Sequence, residues 1–84
     1  MSDVVNEHLR YTIELFDADH TMRSAVLNET NEYTATRLAK RILASGSDTA
    51  RTITTVRMIE DNDTNHSTRV LYTVPVADFE KRTT

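Results

Sequence analysis

This sequence of 84 residues has no cysteine and no tryptophan, and it contains only one glycine and one proline. Without cysteine, no disulfide framework, thiolate nucleophile or Cys-ligated zinc site is available. With one glycine, there is no glycine-rich loop of the kind that holds phosphate groups. The sequence also shows no apolar run long enough for a signal-peptide core or a membrane span, so we expect a cytoplasmic protein with no membrane partner.

Strong charge of either sign is also missing, since ten Lys and Arg residues stand against thirteen Asp and Glu residues, for a net charge of -3. This balance argues against a strongly basic nucleic-acid binder. The length predicts a single small domain over residues 1–84, with loose termini at residues 1–7 and 77–84. A domain of this size buries only about 60% of its unfolded surface, so pairing with a second copy is a common source of extra stability.

The pattern of apolar residues predicts an α+β fold. Alternation predicts a strand at His8–Phe16 and a weaker returning strand at Thr21–Leu27. Apolar residues three and four apart predict a helix that Asn28 caps and that ends near the glycine. The β-branched segments Thr49–Glu60 and Ser67–Val76 predict a second hairpin. We therefore expect a four-stranded antiparallel sheet in the order ββαββ, or βαββ if the second segment is a loop, with one helix packed on one face.

The face of this sheet away from the helix is the first candidate binding surface. Alternation within the third strand is imperfect, because Val56 and Met58 share one parity while Ile53 and Ile59 share the other. A bulge or partial cover on both faces would explain this break. A half-apolar face edged with arginine is typical of a protein interface. We predict that the partner-binding residues on this face are Arg10, Phe16, Ile53, Arg57, Ile59, Arg69 and Leu71.

An alternative surface lies on the outer side of the predicted helix. Arg37, Lys40 and Arg41 are spaced three and four residues apart, so they form one basic ridge. Such a ridge binds phosphate or an acidic partner, although an ordinary solvated helix face has the same composition. Tyr33 stands four residues before Arg37 and is predicted to stack on it.

The candidates for metal binding are weak. Asp61, Asp63 and Asn65 match the first half of a calcium loop, but His66 stands where the loop needs glycine and Tyr72 where it needs a bidentate glutamate. We therefore predict a polar hairpin turn. We also predict no metal site at the three histidines, which share no helix or strand spacing: His8, His20 and His66.

No nucleophile stands in a recognisable context with a base and an orienting group, so we predict no enzyme activity and no cofactor. The sequence predicts a small non-enzymatic module that binds and occludes a protein partner, with a homodimer as the expected assembly. Small acidic domains without motifs are often encoded by phages and mobile elements, which favours an inhibitor of a host system of the anti-CRISPR kind. The alternatives are a nucleic-acid-binding accessory domain that uses the basic ridge and a structural subunit of a homo-oligomer.

Overall fold

The computed structural model describes residues 8–82, so the predicted loose start at residues 1–7 and the last two residues of the predicted loose end lie outside it. The elements in chain order are β1 (Leu9–Asp17), β2 (Met22–Glu29), α1 (Glu32–Leu43), α2 (Asp48–Thr52), β3 (Ile53–Asn62), β4 (Ser67–Pro75) and α3 (Val76–Lys81). The strands form one sheet in the order β2-β1-β3-β4, and every neighbouring pair is antiparallel. The α+β prediction is confirmed in its ββαββ form, with two further short helices.

The central strands β1 and β3 supply most of the core. Because successive strand side chains point to opposite faces, Ile13 and Leu15 lie on the same side as Val56 and Met58, and all four are buried. Helix α1 packs on this side through small side chains, including Ala39, which is completely buried. Small side chains at the contact let the helix backbone approach the sheet closely.

Helix α1 begins three residues later than the sequence predicts. Its N-cap is Asn31, whose side-chain oxygen accepts a hydrogen bond of 2.8 Å from the backbone N–H of Thr34. Asn28 is not a cap, because β2 continues to Glu29 and Asn28 is still part of the sheet edge. It has a φ of 56°, and its backbone N–H donates to the hydroxyl of Thr12 over 3.1 Å. Asn28 therefore lies in a bulge of β2, between the residues that pair with Tyr11 and Ile13 of β1, and does not cap the helix as predicted.

The C-terminal segment is not loose as predicted over residues 77–82, because it forms α3. Phe79 is completely buried in the core and anchors this helix. Lys40 of α1 lies 5.9 Å from the centroid of the Phe79 ring, and its ammonium group donates to the backbone carbonyl of Arg82. The Arg82 guanidinium in turn stacks 4.0 Å above the ring of Tyr72 in β4. Helices α1 and α3 therefore pack side by side on the same side of the sheet.

The two hairpin turns lie at opposite ends of the domain, because β1 and β3 are antiparallel neighbours. At the β1–β2 turn, a carboxylate oxygen of Asp17 accepts hydrogen bonds from the backbone N–H groups of Asp19 (2.8 Å) and Thr21 (3.1 Å). The hydrogen bond from Thr21, aided by that from Asp19 and by the charge of Arg23, lowers the pKa of Asp17. At the other end, the backbone N–H of Asp63 donates to the carbonyl of His8 over 2.8 Å.

Candidate functional site

The candidate site is the side of the sheet opposite α1 and α3, which we call the open sheet face. No helix of the described residues 8–82 packs against this side, and most of its side chains are at least partly exposed, although Thr12 is buried. Four of the seven predicted partner-binding residues lie on it, as the sequence pattern requires: Arg10, Phe16, Arg57 and Ile59. Arg10 stands opposite Asp61 in the sheet, and one of its terminal nitrogens donates to the carbonyl of Leu9 over 2.9 Å.

Ile53 was wrongly assigned to the open sheet face. Its side chain is only 7% exposed and belongs to the core on the helix side. The reason is a register shift at the start of β3, where Phe16 pairs with Thr55 but Asp17 pairs with Ile53. The extra residue reverses the parity of everything before it. The bulge that the broken alternation suggested is therefore present, and it lies before Thr55.

Leu71 and Arg69 were also wrongly assigned, because a second bulge lies in β4. Met58 pairs with Tyr72 while Ile59 pairs with Val70, so Leu71 is the extra residue and packs against the core. The shift turns Arg69 to the helix side of the sheet, where it lies 3.1 Å from a carboxylate oxygen of Glu60.

The other Glu60 oxygen accepts a hydrogen bond of 3.1 Å from the hydroxyl of Tyr11. Burial, reinforced by this bond to a carboxylate, raises the pKa of Tyr11. Glu60 thus forms an ion pair with Arg69 and accepts a hydrogen bond from Tyr11, on the side of the sheet away from the candidate site.

Three large apolar side chains on the open sheet face were missed. Met22 is 50% exposed and stands opposite Phe16, Leu27 is 64% exposed beside Thr12, and Val70 is 51% exposed. Alternation after the buried Val26 is a sequence signal for Leu27. Met22 and Val70 carry no such signal, because their positions depend on register shifts within β2 and β4.

Three rows of residues cross the face from β2 to β4, and a fourth row, Arg10, Asp61 and Thr68, crosses β1, β3 and β4. Neighbours within the rows are paired except Leu27, which lies in an irregular part of β2 beside Thr12. In the order β2, β1, β3, β4, the rows are Met22, Phe16, Thr55 and Pro75 (the first apolar row), Ala25, Glu14, Arg57 and Thr73 (the charged row), and Leu27, Thr12, Ile59 and Val70 (the second apolar row). The charged row therefore lies between two apolar ones.

The centre of the charged row is a fixed ion pair. One oxygen of Glu14 accepts from two guanidinium nitrogens of Arg57, at 2.6 and 2.8 Å. The same guanidinium lies 4.8 Å from the ring centroid of Phe16. These contacts hold the arginine flat against the sheet and balance its charge, so the middle of the face has a defined geometry and no net charge.

The basic ridge is only partly available as a binding surface. Arg37 stacks on Tyr33 at 5.5 Å, which confirms the predicted contact, and Arg41 is exposed. Lys40 is instead occupied by α3 through Arg82 and Phe79. The three cations line an open depression together with Thr34 and Leu38.

The predicted calcium-like segment forms the turn between β3 and β4. Its asparagine side chains accept hydrogen bonds from backbone N–H groups, Asn62 from Thr64 (2.9 Å) and Asn65 from Ser67 (3.1 Å). Within residues 8–82, no group of three or more histidine, aspartate or glutamate side chains is arranged to hold a metal ion. Of the helices in that range, none has the length and apolar character needed to cross a membrane.

Comparison with protein-family models gives no match, and comparisons with curated proteins and with solved structures give none either. The open sheet face and the basic ridge are therefore the features from which a function can be inferred.

Proposed function

We propose that this chain is a small non-enzymatic protein-binding module whose binding surface is the open sheet face. The observation that supports the proposal is the set of three large apolar side chains, Met22, Leu27 and Val70, each at least half exposed on one face. Fully burying a side chain of this kind contributes about 1.5–3 kcal/mol. An apolar surface of this extent that also carries a stacked arginine has the composition of an interface core.

The form of action that fits such a module is occlusion, in which one flat face covers a surface of the partner. We place the module in the cytoplasm and keep inhibition of a host system, as by phage-encoded or anti-CRISPR proteins, as the biological setting of the proposal. The Glu14–Arg57 pair supports this reading, because it holds the centre of the face in one geometry.

A photo-crosslinking amino acid at Val70 tests the proposal. Val70 is half exposed on the open sheet face, and irradiation in an extract of the source cells should give a covalent adduct with a polypeptide. Adding Leu27→Lys to the same chain should remove the adduct, because it places a charge in the second apolar row. The matched control carries the crosslinker at the exposed Arg41 of α1. If Val70 gives no adduct, the proposal is wrong.

A second candidate function, binding of an anionic partner such as a nucleic acid, is favoured by the depression beside the basic ridge. It predicts binding to single- or double-stranded DNA or RNA that weakens steeply with salt and is lost in the double variant Arg37→Ala, Arg41→Ala. The third reading, a structural subunit of a homo-oligomer, predicts a solution mass well above that of a dimer.

A further inference from the structure

We infer that the partner of the open sheet face is a second copy of this chain, packed face to face about a two-fold axis parallel to the strands. The inference rests on the proposed function, since it identifies the occupant of the same surface. Homo-oligomers with a two-fold axis are the commonest assemblies of soluble proteins, and their interfaces must be complementary to themselves. The rows of the open sheet face meet this requirement.

The charged row provides the first argument. An axis that runs between β1 and β3 places β1 of one copy over β3 of the other, because these are the two central strands of the sheet. Glu14 therefore faces Arg57 of the second copy, and Arg57 faces Glu14 of the second copy. Four charges of alternating sign then lie together at the centre of the interface, and the intrachain bonds of 2.6 and 2.8 Å already hold them in place.

The apolar rows provide the second argument. The same axis places β2 over β4 of the second copy, so Leu27 faces Val70 and Met22 faces Pro75. In the second apolar row, Ile59 faces the β1 strand at Thr12, whose hydroxyl is already bonded to the backbone N–H of Asn28. Apolar rows thus meet apolar rows and leave no unpaired polar group between them.

The area of the face is sufficient for a small dimer. Strands of eight to ten residues, rising ~3.3 Å per residue and spaced ~4.8 Å apart, give the face a flat area on the order of 550 Å². Packing two such faces removes roughly 1,100 Å² from water, at the lower end of specific interfaces. The two sheets would form a sandwich with inner faces about 10 Å apart, covered by helices on both outer sides.

Charge complementation between two variants tests this arrangement. In Glu14→Arg the face has only positive charges in the charged row, and in Arg57→Glu it has only negative ones. Each variant alone should be a monomer, with a dimer dissociation constant raised at least about a hundredfold. An equimolar mixture should restore the dimer, because every facing pair is then of opposite sign. An ion pair that serves only the fold of one chain cannot be rescued by mixing.

The measurement is light scattering on a sizing column over a concentration series, with circular dichroism to verify folding. The wild type should have a mass near twice 9.6 kDa. The matched control is Arg69→Glu, which makes the same charge change in the ion pair on the helix side of the sheet and should stay dimeric. A wild-type dimer without rescue by mixing would overturn the two-fold arrangement.

The outcomes separate this inference from the proposed function. A monomeric wild type whose Val70 crosslinker captures a different protein overturns the dimer and leaves the proposed function intact. A monomeric wild type whose Val70 crosslinker captures nothing overturns both.

Discussion

Replacing Phe79 with alanine tests whether α3 is an integral part of the fold. Phe79 is completely buried between the sheet and Lys40, although it lies only five residues from the C-terminus of the sequence. Truncating a buried phenylalanine to alanine costs about 3–5 kcal/mol. Because α3 has only six residues, it can shift to close part of the cavity, so we expect about 3 kcal/mol. Replacement by leucine keeps most of the volume and should cost about 1 kcal/mol.

These values are large for a chain of this length, whose total stability is expected to be about 4–13 kcal/mol. Urea unfolding followed by circular dichroism, with a slope of about 1 kcal/mol/M, should show the midpoint falling by ~3 M for alanine and ~1 M for leucine. All samples need the same protein concentration, because a dimer makes the midpoint depend on it. Tyr33→Ala, which truncates a half-exposed aromatic of α1, is the control and should change stability by under about 0.5 kcal/mol. If Phe79→Ala shifts the midpoint no more than this control, the reasoning about α3 is refuted.

Two further predictions concern the ends of elements. The backbone N–H groups of Thr21 and Asp19 lower the pKa of Asp17, so the carboxylate's contribution to stability is complete above the ordinary pKa of 3.8 and is lost as the pH falls through the lower folded pKa. Asp17→Asn should therefore flatten the loss of unfolding free energy below pH 3.8, and an unchanged dependence of that free energy on pH would contradict this. Asn31→Ala removes the acceptor for the Thr34 N–H and should lower the unfolding free energy by about 1 kcal/mol in urea unfolding, whereas an unchanged midpoint would show that the cap contributes nothing.

The sequence was sufficient for β1 and for the body of α1, because their periodicity is set by local geometry, whereas it left open whether the segment that forms β2 is a strand or a loop. It was insufficient where two local rules competed. Asn28 and Asn31 are both good caps by type, and the choice between them depends on how far β2 remains paired with β1. Thr49 and Thr52 are β-branched and were assigned to the strand, yet Ser47 caps a helical turn over Asp48–Thr52 before β3 begins. Phe79 lies in a segment predicted to be loose, since the six residues of α3 contain too few apolar positions for a clear helical pattern.

The candidate site was predictable only in part, for a different physical reason. Parity assigns a residue to a face correctly only while pairing stays regular, and the bulges in β3 and β4 change the parity twice. Arg57 and Ile59 lie in the regular part of β3, and Phe16 pairs with Thr55 of the same part, so the predicted face of all three is confirmed. Ile53 lies beyond the first bulge and Arg69 beyond the second, so both turn to the helix side.

The bulge in β4 also determines which side chains lie on the open sheet face. With regular pairing, Leu71 and Arg69 would face solvent, Val70 would face the helices, and Glu60 would lose its partner. The bulge instead places Val70 opposite Ile59, which completes the second apolar row, and pairs Arg69 with Glu60 on the other side. One extra residue therefore keeps an apolar side chain opposite Ile59 and removes a positive charge from the face. The position opposite Ile59 is apolar with either pairing, so the bulge leaves the second apolar row intact while it moves a cation to the other side of the sheet.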